Sequence, residues 1–152
     1  MAWDADAVPR LILLRHAKAE PHRSEDHSRV LAERGRQDAT AARSFLAGLA
    51  PEVAVVSTAA RTQETWALAD PGGVTVVLDD RVYDASVADL REVLGEQAAG
   101  CVVLVGHNPG IERLAWELEA NDDTNRGMRT CGIAVFEVAD WTLAGARMTD
   151  WR

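Results

Sequence analysis

The strongest constraint on the fold is a recurrence: short, apolar, β-prone runs alternate with stretches patterned for helix. Arg10–Leu14 reads Arg-Leu-Ile-Leu-Leu and Cys101–Val105 reads Cys-Val-Val-Leu-Val, and neither alternates polar with apolar residues. A strand that is apolar at nearly every position has no face to give to water, so both are expected at the centre of a sheet covered on two sides. Val53–Val56 and Val74–Leu78 supply two more strands. A helix is expected over Ala32–Leu49, where Ala39, Ala42, Leu46 and Leu49 fall on one face. Strands separated by helices predict an α/β three-layer sandwich, with a mostly parallel central sheet flanked by helices.

Local signals set the remaining boundaries. Ser57 or Thr58 is expected to cap a helix from about Ala59, which Asp70-Pro71-Gly72-Gly73 ends. Ser86 is expected to cap a helix that turns Val87, Leu90 and Leu94 inward. Asn108 and Pro109 read as cap and first residue of a helix buried through Ile111, Leu114, Ala115 and Leu118. Asn121–Thr130 is polar enough for a loop, and Gly132–Val138 with Ala146–Trp151 forms a hairpin at a sheet edge.

A chain of 152 residues, 47% hydrophobic and 26% charged, is expected to form a single domain over residues 1–152. Its core needs no metal or disulfide staple. The net charge of -8 opposes nucleic-acid binding, because a phosphate backbone would meet a repulsive field. Cys101 and Cys131 lie in apolar runs and read as buried thiols. Met1–Val8 lacks the pattern of a secretory signal, and no run approaches the roughly 20 apolar residues of a membrane span. A soluble, cytoplasmic protein with no membrane partner is the expectation.

Ligands of open α/β sheets bind beyond the carboxyl ends of the strands. The residues there are Arg15-His16, Ser57 to Arg61, Tyr83-Asp84 and Gly106-His107-Asn108. Two arginines and two histidines thus converge on one edge of an acidic protein, which points to an anion pocket for a phosphoryl group. Plainer roles compete at each position. Arg61 has Glu64 at i,i+3, Ser57 reads first as a cap, and His22 and His27 read as surface residues among Glu20, Glu25 and Asp26. The tryptophans are expected in core or edge packing, with Trp3, Trp141 and Trp151 as candidates for an exposed patch near the termini.

Leu13-Leu14-Arg15-His16-Ala17-Lys18 resembles the Arg-His-Gly motif of the histidine phosphatase superfamily, with Ala17 in place of the usual Gly. Ser57-Thr58-Ala59-Ala60-Arg61-Thr62 and Val105-Gly106-His107-Asn108-Pro109-Gly110 are similar to the second and third motifs, in the same order. The short phosphohistidine phosphatase branch is the nearest resemblance. Arg15-His16-Ala17-Lys18 is followed by Asp26, Arg29, Leu31 and Gly35 in a pattern similar to Asp-x-x-Arg-Pro-Leu-x-x-x-Gly, with Val30 replacing Pro.

The resemblance implies a phosphoglycerate mutase-like fold and a metal-independent phosphatase with no cofactor. His16 would take the phosphoryl group covalently, with Arg15, Arg61 and His107 around its oxygens and Arg29, Ser57 and Asp84 contacting substrate. Larger relatives carry a Glu acid after the third strand. Asp84 is the nearest carboxylate here, and Tyr83 or solvent are the other proton sources. The implied partner is a phosphorylated protein bearing phosphohistidine, with inorganic phosphate as product. A small phosphate ester and a non-catalytic phosphate-binding module are the alternatives. The chain is too short for the lid of a mutase.

Overall fold

In the computed structural model, which describes residues 7–21, 25–119 and 126–152, the two continuous apolar runs lie side by side. Strand β1 (Arg10–Arg15) pairs in parallel with β4 (Cys101–Gly106), Arg15 standing opposite Gly106. On the far side of β4 comes β2 (Val53–Val56) and then β3 (Thr75–Leu78), both parallel. On the far side of β1, β5 (Ile133–Glu137) and β6 (Arg147–Trp151) run antiparallel as the expected edge hairpin. The six-stranded order is β3-β2-β4-β1-β5-β6.

Four helices cover this sheet among the described residues: α1 (Glu33–Leu49), α2 (Ala60–Ala69), α3 (Val87–Gly95) and α4 (Gly110–Leu118). Successive strand residues point to opposite faces, so β1 feeds two cores at once. Leu11 and Leu13 join Leu90, Leu94, Ile111 and Leu114 of α3 and α4 in one core. Ile12 and Leu14 join Ala39, Leu46 and Trp66 of α1 and α2 in the other. Each fully buried Leu or Ile contributes about 1.5–3 kcal/mol relative to exposure. That burial outweighs local propensity and holds β1 and β4 at the centre.

The sandwich and the mostly parallel sheet agree with the sequence reading. Both cysteines are free and buried, and burial pushes each thiol up to about 11, leaving them protonated and inert. Ser86 caps α3 as expected, in a full capping box with Asp89. Two other caps differ. Helix α2 starts at Ala60 after Ala59, which offers no side-chain cap; the Ser57 hydroxyl meets His107 and accepts a long 3.4 Å bond from the Ala59 N–H, and the Thr58 hydroxyl donates to Asp80. Helix α4 starts at Gly110 after a cis Asn108–Pro109 peptide, and the Asn108 amide donates instead to Glu112 and the Met128 carbonyl.

Strand β3 is exposed along its whole length, since its apolar residues lie at the sheet edge with no helix over them. Trp141 is buried and donates its indole N–H to the Ala99 carbonyl, so it is no part of an exposed patch, and Trp151 is half-buried. Trp3, His22 and part of the expected Asn121–Thr130 loop lie outside the described residues. No helix among the described residues is long and apolar enough to cross a membrane.

Candidate active site

The chain leaves β1 toward α1 on one face of the sheet and leaves β4 toward α4 on the other. Adjacent strands whose connections depart to opposite faces open a crevice at their carboxyl ends. A cavity of about 480 Å³ opens there, lined by Arg15, His16, Asp26, Arg29, Arg61, Tyr83, Asp84, His107 and Asn108. A larger hollow of about 690 Å³ at the opposite end of the sheet is lined mainly by Ala, Pro, Gly and Val, with Glu52 as its one charge, and holds no reactive group. The sequence-predicted residues Arg15, His16, Arg29, Arg61, Asp84 and His107 all line the former cavity, and Ser57 stands behind His107.

His16 is fixed at the end of β1 by its own backbone, whose N–H donates to the Gly106 carbonyl. Its Nδ1 lies 2.7 Å from the Ala17 carbonyl oxygen. A carbonyl can only accept, so Nδ1 carries the proton and Nε2 keeps its lone pair. Burial, with smaller contributions from the nearby Arg61, Arg15 and Arg29 charges, pushes the ring down to about 4, so it is neutral near pH 7.

His107 sits with its ring centroid 5.3 Å from that of His16, and burial pushes it down to about 3. Its Nε2 is 2.8 Å from the Ser57 hydroxyl. When that hydroxyl donates to Nε2, the single ring proton sits on Nδ1, a buried atom with no partner among the described residues. Arg15 Nε and Arg61 Nε are likewise buried without partners. Three polar nitrogens are therefore left open in residues that line one cavity. Orphaned buried polar groups are costly, and an anion that satisfies them removes the cost.

Asp26 opens the Asp-x-x-Arg pattern of the resemblance, and the structure places it in the cavity lining. It stands on a 3₁₀ turn (Asp26–Ser28) and accepts from Tyr83 Oη at 2.6 Å, Arg29 Nη1 at 3.0 Å and Arg61 Nη2 at 3.0 Å. Its carbonyl takes Arg61 Nη1 at 2.8 Å. The Tyr83 hydrogen bond first, then the two arginines, hold its carboxyl well below the usual carboxylate range. Arg61 thus bonds Asp26, while Glu64 accepts from the Leu31 N–H at 2.8 Å. The signal for Asp26 was in the Asp-x-x-Arg spacing, since that spacing puts Asp26 and Arg29 at i,i+3.

His27 is half-buried, against the surface reading. Its Nε2 lies 3.0 Å from the Thr58 hydroxyl, and its ring meets Tyr83 edge-on at 4.8 Å. Tyr83 in turn stands edge-on to His107 at 5.5 Å. Asp84 is exposed at the rim, with a left-handed φ of 53° and no hydrogen bond among the described residues.

An open α/β sheet with a neutral histidine and a cluster of guanidiniums at the crevice of β1 and β4 defines a phosphoryl-handling site. The sequence model of the histidine phosphatase superfamily (branch 1) matches residues 11–97, and the chain belongs to that superfamily. A structure from Nakamurella multipartitia, provisionally named phosphohistidine phosphatase SixA, is 31% identical, with 98% of each chain covered and a TM-score of 0.86. One from Agrobacterium tumefaciens with the same provisional name is 28% identical, covering 95% of this chain and 97% of that one at a TM-score of 0.84. A mycobacterial glucosyl-3-phosphoglycerate phosphatase, 21% identical over 95% of this chain and 98% of its own, shares the fold at a TM-score of 0.73. No curated protein sequence matches the chain. The chain is a phosphatase of this superfamily.

Proposed function

We propose that the protein removes the phosphoryl group from phosphohistidine on a protein, through a covalent intermediate on His16, without a metal. The observation that carries this reading is the Ala17 bond to His16 Nδ1, which leaves a neutral ring with a bare Nε2 beside three arginines. Nε2 attacks phosphorus, and the bond from phosphorus to the leaving imidazole breaks with its electron pair passing to that nitrogen. Water then attacks phosphorus, the bond to Nε2 breaks, and inorganic phosphate leaves. Arg15, Arg61, Arg29 and His107 Nδ1–H surround the charge that develops on the phosphoryl oxygens.

A phosphohistidine protonated at its other ring nitrogen can leave as neutral imidazole without an enzyme acid, so the lack of a Glu after the third strand suits a phosphorus–nitrogen bond. Asp84 and Tyr83 line the cavity, and the Tyr83 hydroxyl is committed to Asp26, which raises its pKa and makes it a poor proton source for an ester. The two provisionally named relatives support the same substrate. The small-ester reading rests on the size and openness of the cavity, which has room for a sugar phosphate.

The test is turnover of a phosphohistidine-bearing protein domain beside an aryl phosphate and a panel of sugar phosphates, with chelator present. Preference for the phosphohistidine domain is expected. Turnover confined to small esters overturns the substrate, and full activity in His16→Ala overturns the mechanism.

A further inference from the structure

We propose that Asp26 and Asp84 make this cavity selective for a phosphoryl group whose carrier bears no second anion beside it. The inference deepens the phosphatase reading of the same site by naming the charge of its substrates. Arg15, Arg29 and Arg61 bring three positive charges to the lining, and Asp26 and Asp84 bring two negative ones. With His16 and His107 neutral, a phosphoryl dianion alone outweighs what remains.

Among the described residues, a further carboxylate or phosphate on the carrier meets no cation in the cavity lining beyond these three arginines, whose donors are already partly engaged. Asp26 already occupies Nη1 of Arg29 and both Nη atoms of Arg61. Arg15 spends Nη1 on the Met128 carbonyl. Lys18, exposed two residues past His16, does not line the cavity. What the second anion does meet is the exposed Asp84, with Asp80 nearby on Thr58 and the whole chain at a net charge of -8. Like charges at such range repel within the screening length of about 8 Å at physiological salt.

Asp84 carries no structural duty that explains its carboxylate. It makes no hydrogen bond among the described residues, and its left-handed φ of 53° suits Asn as well as Asp. Asp84→Asn therefore removes a charge and little else. Asp26→Asn removes a charge and also weakens the Arg61 and Arg29 contacts, so ratios rather than absolute values report on it.

The experiment is calorimetric binding of methylphosphonate and methylenediphosphonate, two non-hydrolysable probes that differ by one anionic group. The wild-type chain is expected to bind methylphosphonate at least as tightly, and Asp84→Asn to shift the ratio of affinities toward the diphosphonate about fivefold. Asp26→Asn shifts it the same way, and so does added salt on the wild type, because salt screens repulsion. A tenfold wild-type preference for the diphosphonate, or a ratio unmoved by Asp84→Asn and by salt, overturns the inference. Binding does not need turnover, so a chain that shows these ratios yet hydrolyses no phosphohistidine domain sinks the proposed function and leaves this inference standing.

Discussion

Arg61 is held end-on by Asp26, with Nη1 on the Asp26 carbonyl at 2.8 Å and Nη2 on Oδ2 at 3.0 Å. The two residues stand 35 positions apart in sequence, and their contact ties the 3₁₀ turn after β1 to the first turn of α2. Because Asp26 takes the terminal nitrogens, the buried Nε–H is the Arg61 donor left without a partner among the described residues.

That geometry predicts the effect of Arg61→Lys. A lysine brings one point charge and cannot hold Asp26 while offering a second, fixed donor to a phosphoryl oxygen. kcat/KM is expected to fall about 10²- to 10³-fold, the loss that accompanies removal of one preorganised donor. A fall of less than threefold in steady-state kinetics would show that Arg61 serves Asp26 and the loop rather than the substrate.

Acid acts on this site through the two histidines. Both are pushed down in the folded chain, to about 4 for His16 and about 3 for His107, against about 6.5 when unfolded. On acidification the unfolded chain takes up these protons first, so folding is favoured above about pH 6.5 and loses that contribution as pH falls toward 4 and then 3. For His16 the loss is on the order of 3 kcal/mol. Thermal unfolding between pH 7 and pH 4.5 is expected to show a smaller drop in Tm for His16→Ala than for the wild type, and equal drops would contradict a buried neutral ring. Activity is expected to stay level from pH 6 to 8 and to fall near pH 4 as Nε2 is protonated.

How much was legible in the sequence depended on range. β1 and β4 were readable because a run without polar residues demands cover on both faces, and their neighbours Arg15, His16 and His107 came with them. Thr75–Leu78 has the same apolar character yet lies exposed at the edge, because strand order is decided by the crossovers and not by the strand's own residues. The caps at Ser57 and Asn108 misled for a related reason. A hydroxyl or amide that suits a helix start serves equally for a partner 50 or 20 residues away, and those partners, His107 and Met128, were invisible locally. The pattern marked Asp26 but not its partners, since its Arg61 and Tyr83 contacts span 35 and 57 residues.

Two glycines test how closely the layers pack beside the site. A Cβ on Gly110 would lie 2.3 Å from the Ala85 carbonyl oxygen, and one on Gly35 would lie 2.1 Å from that of Lys18. Both obstacles are backbone, which must move for the side chain to fit. Gly110→Ala and Gly35→Ala are each expected to cost about 1–3 kcal/mol or more, read as a lower midpoint in urea. Gly110→Ala also displaces the loop that carries Tyr83 and Asp84, so its kcat/KM falls further than that of Gly35→Ala. An unchanged midpoint for either variant would show that these approaches are looser than the structure has them.

Ser57 is the hydrogen-bond partner of His107 Nε2 and so bears on where the single ring proton sits. A neutral imidazole has one proton, and the Ser57 hydroxyl at 2.8 Å from Nε2 donates there when the proton is on Nδ1. In the proposed mechanism that Nδ1–H is the donor to the phosphoryl group. Ser57→Ala removes that donor and leaves Nε2 as a buried acceptor unless the proton moves to it, at a cost of about 1–3 kcal/mol either way. kcat is expected to fall about ten- to a hundredfold, with the proton of His107 redistributed toward Nε2 in the nitrogen NMR of the ring. Ser57→Thr keeps the hydroxyl and is expected to recover most of the rate. A purely structural role for Ser57 would lower the Tm of the alanine variant but leave the tautomer and kcat in place, so the ring spectrum separates the two.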